Sequence, residues 1–187
     1  IYEPDVISKG KKIRDIFIKN EIEYKYFKGN ILNEFQEVTK NDCTPFKVFT
    51  PFWRTAEQIY LNQPPSKNYT IKKKNKAINF FKNSLDLKNI LQNKKWYEKF
   101  EKYWFPGEDI ALNKIKSFNS EKINFYDKNR DFPSIEGTSK LSPHLAFGEI
   151  SPKKIYDECT KIKNKKIGVT KFLNEIGWRE FAYHLIN

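Results

Sequence analysis

The sequence predicts an α/β remnant joined by a long linker to an all-α domain, and three features along the chain predict it. Apolar residues at helical spacing over Ile7–Ile18 precede an alternating run, Glu23-Tyr24-Lys25-Tyr26-Phe27, the helix-then-strand order of an α/β unit. Residues 62–95 turn Lys- and Asn-rich around Pro64-Pro65, a composition that suits an extended connector better than a core. From Trp96 onward the apolar residues recur at helical spacing. The domain limits expected from these shifts are residues 1–58, 59–95 and 96–187.

Each element has a local reason. The short strand closes at Lys28-Gly29-Asn30, and Thr44-Pro45-Phe46-Lys47-Val48-Phe49-Thr50-Pro51-Phe52-Trp53 is an apolar loop pinned by two prolines. A helix is expected from Trp53 to Tyr60. Pro106-Gly107-Glu108 opens another that runs to about Phe118. Ser142-Pro143 and Ser151-Pro152 each set a side-chain cap before a proline suited to the first helical turn, marking two more starts. The last helix is expected from about Lys171, capped by Thr170.

Composition narrows the class. The chain has 187 residues, of which 39% are hydrophobic and 16% aromatic, enough for a packed core in one domain or in pieces of two. No stretch approaches the roughly 18 apolar residues of a membrane span, and Ile1-Tyr2-Glu3-Pro4 carries neither a basic nor an apolar leader region. Cys43 and Cys159 stand far apart without a second ligand pair, which reads as two thiols in a reducing cytoplasm and no metal site. With no Met, and with Ala182-Tyr183-His184-Leu185-Ile186-Asn187 in helical spacing, the chain is expected to be an internal stretch of a longer protein and its fold truncated.

Lys+Arg 35 less Asp+Glu 23 gives +12, and basic chains gain sequence-independent affinity for nucleic acid by releasing counterions from phosphates. The excess is almost all Lys, with Arg only at 14, 54, 130 and 179, so a solvated lysine surface is an equal reading.

Two groups of residues carry chemistry. Gly137-Thr138-Ser139-Lys140-Leu141-Ser142-Pro143 sets hydroxyls and backbone amides before a helix start, where an anion is favoured; plain helix capping by Thr138, Ser139 and Ser142 is the alternative. In the last helix Glu175, Trp178, Arg179 and Ala182 share one stripe, opposite Leu173, Ile176, Gly177, Glu180 and His184. An aromatic between a carboxylate and a guanidinium can stack on a flat ring while the charges fix its polar edges; a Glu175–Arg179 pair beside a core Trp is the alternative. His184 reads as a core or surface histidine, since no second ligand lies near it.

Longer motifs make a resemblance specific. Thr138-Ser139-Lys140-Leu141-Ser142-Pro143-His144-Leu145-Ala146-Phe147-Gly148-Glu149-Ile150-Ser151-Pro152 resembles the T-S-R-L-S-P-x-L-x-x-G-x-I-S-P signature of the DNA photolyase/cryptochrome family. Phe172-Leu173-Asn174-Glu175-Ile176-Gly177-Trp178-Arg179-Glu180-Phe181 is similar to its F-L-x-E-L-x-W-R-E-F helix. Lys47-Val48-Phe49-Thr50-Pro51-Phe52, Trp104-x-Pro106-Gly107-Glu108 and Tyr126-x-x-x-Arg130-Asp131-Phe132-Pro133 match further family motifs, so the resemblance, to class I cyclobutane pyrimidine dimer photolyases, spans nearly the whole chain.

The resemblance implies a photolyase-type Rossmann-like N-terminal domain ending near residue 58, the linker, and the start of a helical FAD-binding domain. It implies FAD contacts at Tyr126, Thr138, Ser139, Lys140, Leu141, Ser142, Phe172 and Arg179. Glu175 and Trp178 would be the catalytic, lesion-facing pair, and Arg130, Glu175, Trp178, Arg179 and Ala182 the DNA-facing set. The implied activity is repair of cyclobutane pyrimidine dimers by light-driven electron transfer from reduced FAD, on UV-damaged DNA, by a monomer in the cytoplasm that is nucleoid-associated when bound to DNA. An antenna chromophore, methenyltetrahydrofolate or a deazaflavin, is a further possibility near Glu3 and Asp5. A signalling cryptochrome without repair activity and a (6-4) photolyase share the fold and the flavin, and a cofactor-free helical DNA-binding module is the third reading. Lys140 stands where the family commonly has Arg, and an ammonium cannot make the same bidentate fork.

Overall fold

The structure, a computed structural model, describes residues 4–63, 98–164 and 166–186. The described residues fall in two units, one of residues up to 63 together with those from 106 on, the other of residues 98–105. In the second unit the described part is a 3₁₀ turn at Glu98–Lys102 and the residues up to Phe105. The predicted linker, 59–95, lies almost wholly outside the described residues.

The first unit is helical. Its elements are α1 (Pro4–Lys19), a 3₁₀ turn (Phe35–Glu37), α2 (Phe49–Leu61), α3 (Glu108–Ser117), α4 (Tyr126–Asn129), α5 (Ser142–Ala146), α6 (Pro152–Thr160) and α7 (Ile167–Ile186). Between α3 and α4 the chain passes through a π turn, Phe118–Lys122, and a 3₁₀ turn, Ile123–Phe125. Ser151 caps α6 as its pattern predicted, its hydroxyl accepting from the Lys154 amide at 3.1 Å, with Pro152 in the first turn.

Several sequence expectations change, the first being the start of α2, which begins at Phe49 inside the stretch read as a proline-pinned loop and not at Trp53. No strand occurs among the described residues, and Glu23–Phe27 is irregular, so the α/β part of the predicted fold class is not seen there. The physical reason is pairing: a strand is held by hydrogen bonds to a neighbour, and the described residues offer none. The alternation still places Tyr24 and Tyr26 together, their rings edge to face at 5.6 Å, while Phe27 is exposed. The final helix starts at Ile167, not Lys171, so Thr170 is inside its first turn. Gly168 allows that early start, since a Cβ there would lie 2.1 Å from the Ile123 carbonyl oxygen.

Helix α7 is central. Val169, Phe172, Leu173, Ile176, Gly177, Glu180, Phe181 and His184 are all buried, so the helix presents apolar groups on more than one side to α2, α4 and α6. Its contact with α2 is backbone against ring: a Cβ at Gly177 would lie 2.5 Å from the buried Trp53 indole. Around this contact the core gathers Leu32, Val38, Phe52, Ala56, Ile115, Phe118, Ile155 and Tyr156. Thus α2, from the segment assigned by sequence mainly to residues 1–58, packs on α7 of the helical domain.

Gly177→Ala will therefore destabilise the chain, because neither the indole nor the helix backbone can move aside locally. Overpacking of this kind costs about 1–3 kcal/mol. Thermal or urea unfolding of the variant beside the wild type checks it, and an unchanged midpoint would contradict the packing described.

Candidate functional site

The loop before α5 is shaped by its neighbours on either side. Gly137 is pressed on Asn129, where a Cβ would come within 2.5 Å of that residue's own Cβ, and Leu141 is sunk in the core at 2% exposure. Between these anchors Lys140 takes φ +52°, a left-handed conformation costly for a residue with a Cβ. Its ammonium pairs with Glu136, whose carboxyl that contact holds below the usual carboxylate range.

Leu141 is the N-cap of α5, and no side chain makes a capping bond there. The capping alternative for Thr138, Ser139 and Ser142 is thus not used at this helix, and the hydroxyls line a cavity of about 520 Å³. Its other walls come from α4 and α7. Tyr126 and Phe172 meet edge to face at 5.3 Å, and burial raises the Tyr126 hydroxyl above its ordinary pKa. Leu145, Ile155 and Ile176 complete the apolar lining.

All eight positions read as flavin contacts, Tyr126, Thr138, Ser139, Lys140, Leu141, Ser142, Phe172 and Arg179, line this one cavity, together with Glu175. Arg130 is outside the lining but forms an ion pair with Glu175, and it sits 5.4 Å over the Tyr126 ring. The Glu175 hydrogen bond raises the Arg130 pKa further. The alternative reading of a Glu175–Arg179 pair is not what forms: Glu175 pairs with Arg130. Arg179 instead donates to the Asn30 carbonyl, stacks 4.8 Å over Tyr183 and lies 3.7 Å from Glu180.

Trp178 is not brought into the cavity. Its indole stacks on Phe49 at 3.8 Å and 8°, and it is half exposed, as is expected of a group able to meet a flat partner at a surface. Ala182 is also exposed on this helix. His184 is buried, with Nε2 accepting from the Phe46 amide at 3.1 Å, and burial holds its pKa below the ordinary value. Sequence reasoning gave Asn30, Glu180 and Phe49 no part in the site. Asn30 and Phe49 are distant in sequence from the groups they hold, and no local spacing marks them.

A family model for DNA photolyase matches residues 1–69. The chain is 33% identical to the deoxyribodipyrimidine photo-lyase of Agrobacterium fabrum, across 99% of this chain and 39% of that protein. It is 32% identical to that of Buchnera aphidicola, across 95% of this chain and 38% of that protein. A crystal structure described as a bacterial class III photolyase from Agrobacterium tumefaciens superposes with a TM-score of 0.79 at 30% identity, covering 99% of this chain and 39% of that one. The chain belongs to the DNA photolyase family.

This photolyase-family chain spans about two fifths of the length of the curated relatives it matches. The solved neighbour is a class III enzyme, where the motif resemblance pointed to class I, so the family and not the class is what the match carries. Among the described residues no helix is long and apolar enough to cross a membrane.

The ion pair at the cavity edge gives a direct test. With side chains 31% and 36% exposed, Arg130 and Glu175 are screened by water, so their coupling is modest. A double-mutant cycle of Arg130→Ala and Glu175→Ala will show non-additive unfolding energies of about 0.5–1 kcal/mol. Strict additivity would mean that the pair adds nothing measurable to stability.

Proposed function

We propose that this chain is part of a light-dependent DNA repair enzyme that splits pyrimidine dimers, with FAD held in the 520 Å³ cavity. One observation carries the reading: residues from three separate motifs, 126, 138–142 and 172–179, converge on a single hollow with hydroxyls on one side and aromatic walls on another. The donor set suits the group. Thr138, Ser139, Ser142 and Lys140 offer hydrogen bonds and a positive charge to phosphate and ribityl oxygens, and Phe172 with Tyr126 offers an apolar surface to a ring. Bound there and reduced, FAD would supply on photoexcitation the electron for opening the dimer and would receive that electron back.

The chain's own residues do the rest. Glu175, at the cavity and neutralised by Arg130, is placed to accept hydrogen bonds from the lesion's polar edge, while Trp178 and Phe49 offer a flat apolar surface beside it. Arg130 meets DNA phosphate when it leaves Glu175, and the wider lysine surface holds the duplex without reading its sequence. The dimer must leave the stack to reach such a site, and a damaged, poorly paired position is extruded at less cost. Residues 1–58, 59–95 and 96–187 are then the end of the α/β antenna domain, the linker and part of the FAD domain. The strand partners missing from residues 23–27 would belong to that α/β domain.

The test is repair by the full-length protein, reduced in the dark, given an oligonucleotide with one thymine dimer and lit with blue light. Dimer loss will require both light and flavin, and will fall by an order of magnitude or more in Glu175→Ala and Trp178→Ala, the scale of a lost transition-state contact. Flavin binding without dimer loss would point to a (6-4) enzyme or a cryptochrome. Absence of flavin would remove the reading of the cavity.

A further inference from the structure

Helix α7 carries a buried carboxylate that neither flavin nor lesion binding uses. Glu180 is 5% exposed; its Oε2 accepts the Leu32 amide at 2.7 Å across a sequence separation of 148 residues. Its Oε1 is buried without a hydrogen bond, with the Arg179 guanidinium at 3.7 Å, and the Asn33 amide beside that of Leu32 also faces the carboxyl. Arg179 grips the same loop, donating to the Asn30 carbonyl, and it also lines the cavity. Two adjacent residues of α7 therefore hold one four-residue loop by its backbone, and one of them is a wall of the site.

We propose that Glu180 is a positioning residue for the cavity: by holding the Leu32 amide it seats the Asn30–Asn33 loop, whose Asn30 carbonyl fixes the Arg179 guanidinium at the cavity edge, and the protonation of Glu180 sets this grip. An ionised Glu180 leaves one charged oxygen in the interior with no hydrogen bond, a cost that opening the loop to water relieves. A protonated Glu180 carries no such charge and keeps Oε2 as an acceptor for Leu32. The charged groups facing it are Arg179 from its own helix and Glu34 just past the loop, while burial holds the pKa of His184, one turn on, below its ordinary value.

Burial pushes the carboxyl from 4.5 up to about 7, which gives the direction. The closed clasp has the higher pKa, so it is favoured at low pH and weakens as pH rises from about 5 through 7, then changes no further. Arg179 loses its anchor over the same window. The effect on flavin rests on the cavity reading above; the clasp does not.

Hydrogen exchange at Leu32 and Asn33, corrected for the intrinsic chemical rate, tests the clasp in the full-length protein without any ligand. Wild-type protection will fall by more than about tenfold between pH 5 and pH 7.5, since each unit of pKa difference is a factor of ten. Glu180→Gln, which is always neutral, will stay protected throughout. A flat wild-type profile, or the same profile in Glu180→Gln, would overturn the proposal, and the wild-type profile decides alone if the variant does not fold. FAD titration is the second arm: its Kd will rise several-fold over that window in wild type and stay constant in Glu180→Gln. A Kd that ignores pH while the loop opens would overturn the positioning role, whereas FAD that binds at no pH would sink the flavin reading with the exchange result still standing.

Discussion

Because residue 177 has no side chain, α7 lies directly on the Trp53 indole, and the orientation of that helix decides what every other group near the site can do. With Gly177 inward, Leu173, Ile176 and Glu180 are also inward, Glu175 and Arg179 reach the cavity, and Trp178 emerges beside Phe49. A rotation by one residue, about 100° on an α-helix, would bury Trp178 and send Arg179 away from the hollow. The registration of the site is therefore a packing matter settled on the side of the helix away from the chemistry.

The charges around the cavity are already engaged. Lys140 holds Glu136, Arg130 holds Glu175, and Arg179 holds the Asn30 carbonyl. An anionic ligand thus exchanges partners with these cations rather than meeting idle ones. Net gains from such exchanges are small per bond, so affinity must come from many contacts acting together, and from the ring surface of Phe172 and Tyr126.

The sequence was most legible where chemistry is local. Ser151 followed by proline gave a real cap, and the stripe on α7 divided the helix into the buried and half-exposed sides observed. The loop at 138–142 was readable as an anion site but more readily as a cap, and the absence of a side-chain capping bond at this helix could not be read from spacing. Long-range partners left no trace. Glu180 looks like one more charge on a helix until the Leu32 amide, far away in the chain, is brought to it. The strand at 23–27 failed for the related reason that alternation reports a face and not a pairing partner.

Lys140 gives the loop a mechanical character. Its left-handed backbone would relax toward a commoner conformation if it were free, and it is restrained by Gly137 wedged on Asn129 and by Leu141 plugged into the core. The loop is therefore a loaded spring with two latches, neither of which carries charge. The backbone that carries the ammonium is thus set by a steric contact and an apolar plug, and only the end of the side chain is set by charge, at Glu136.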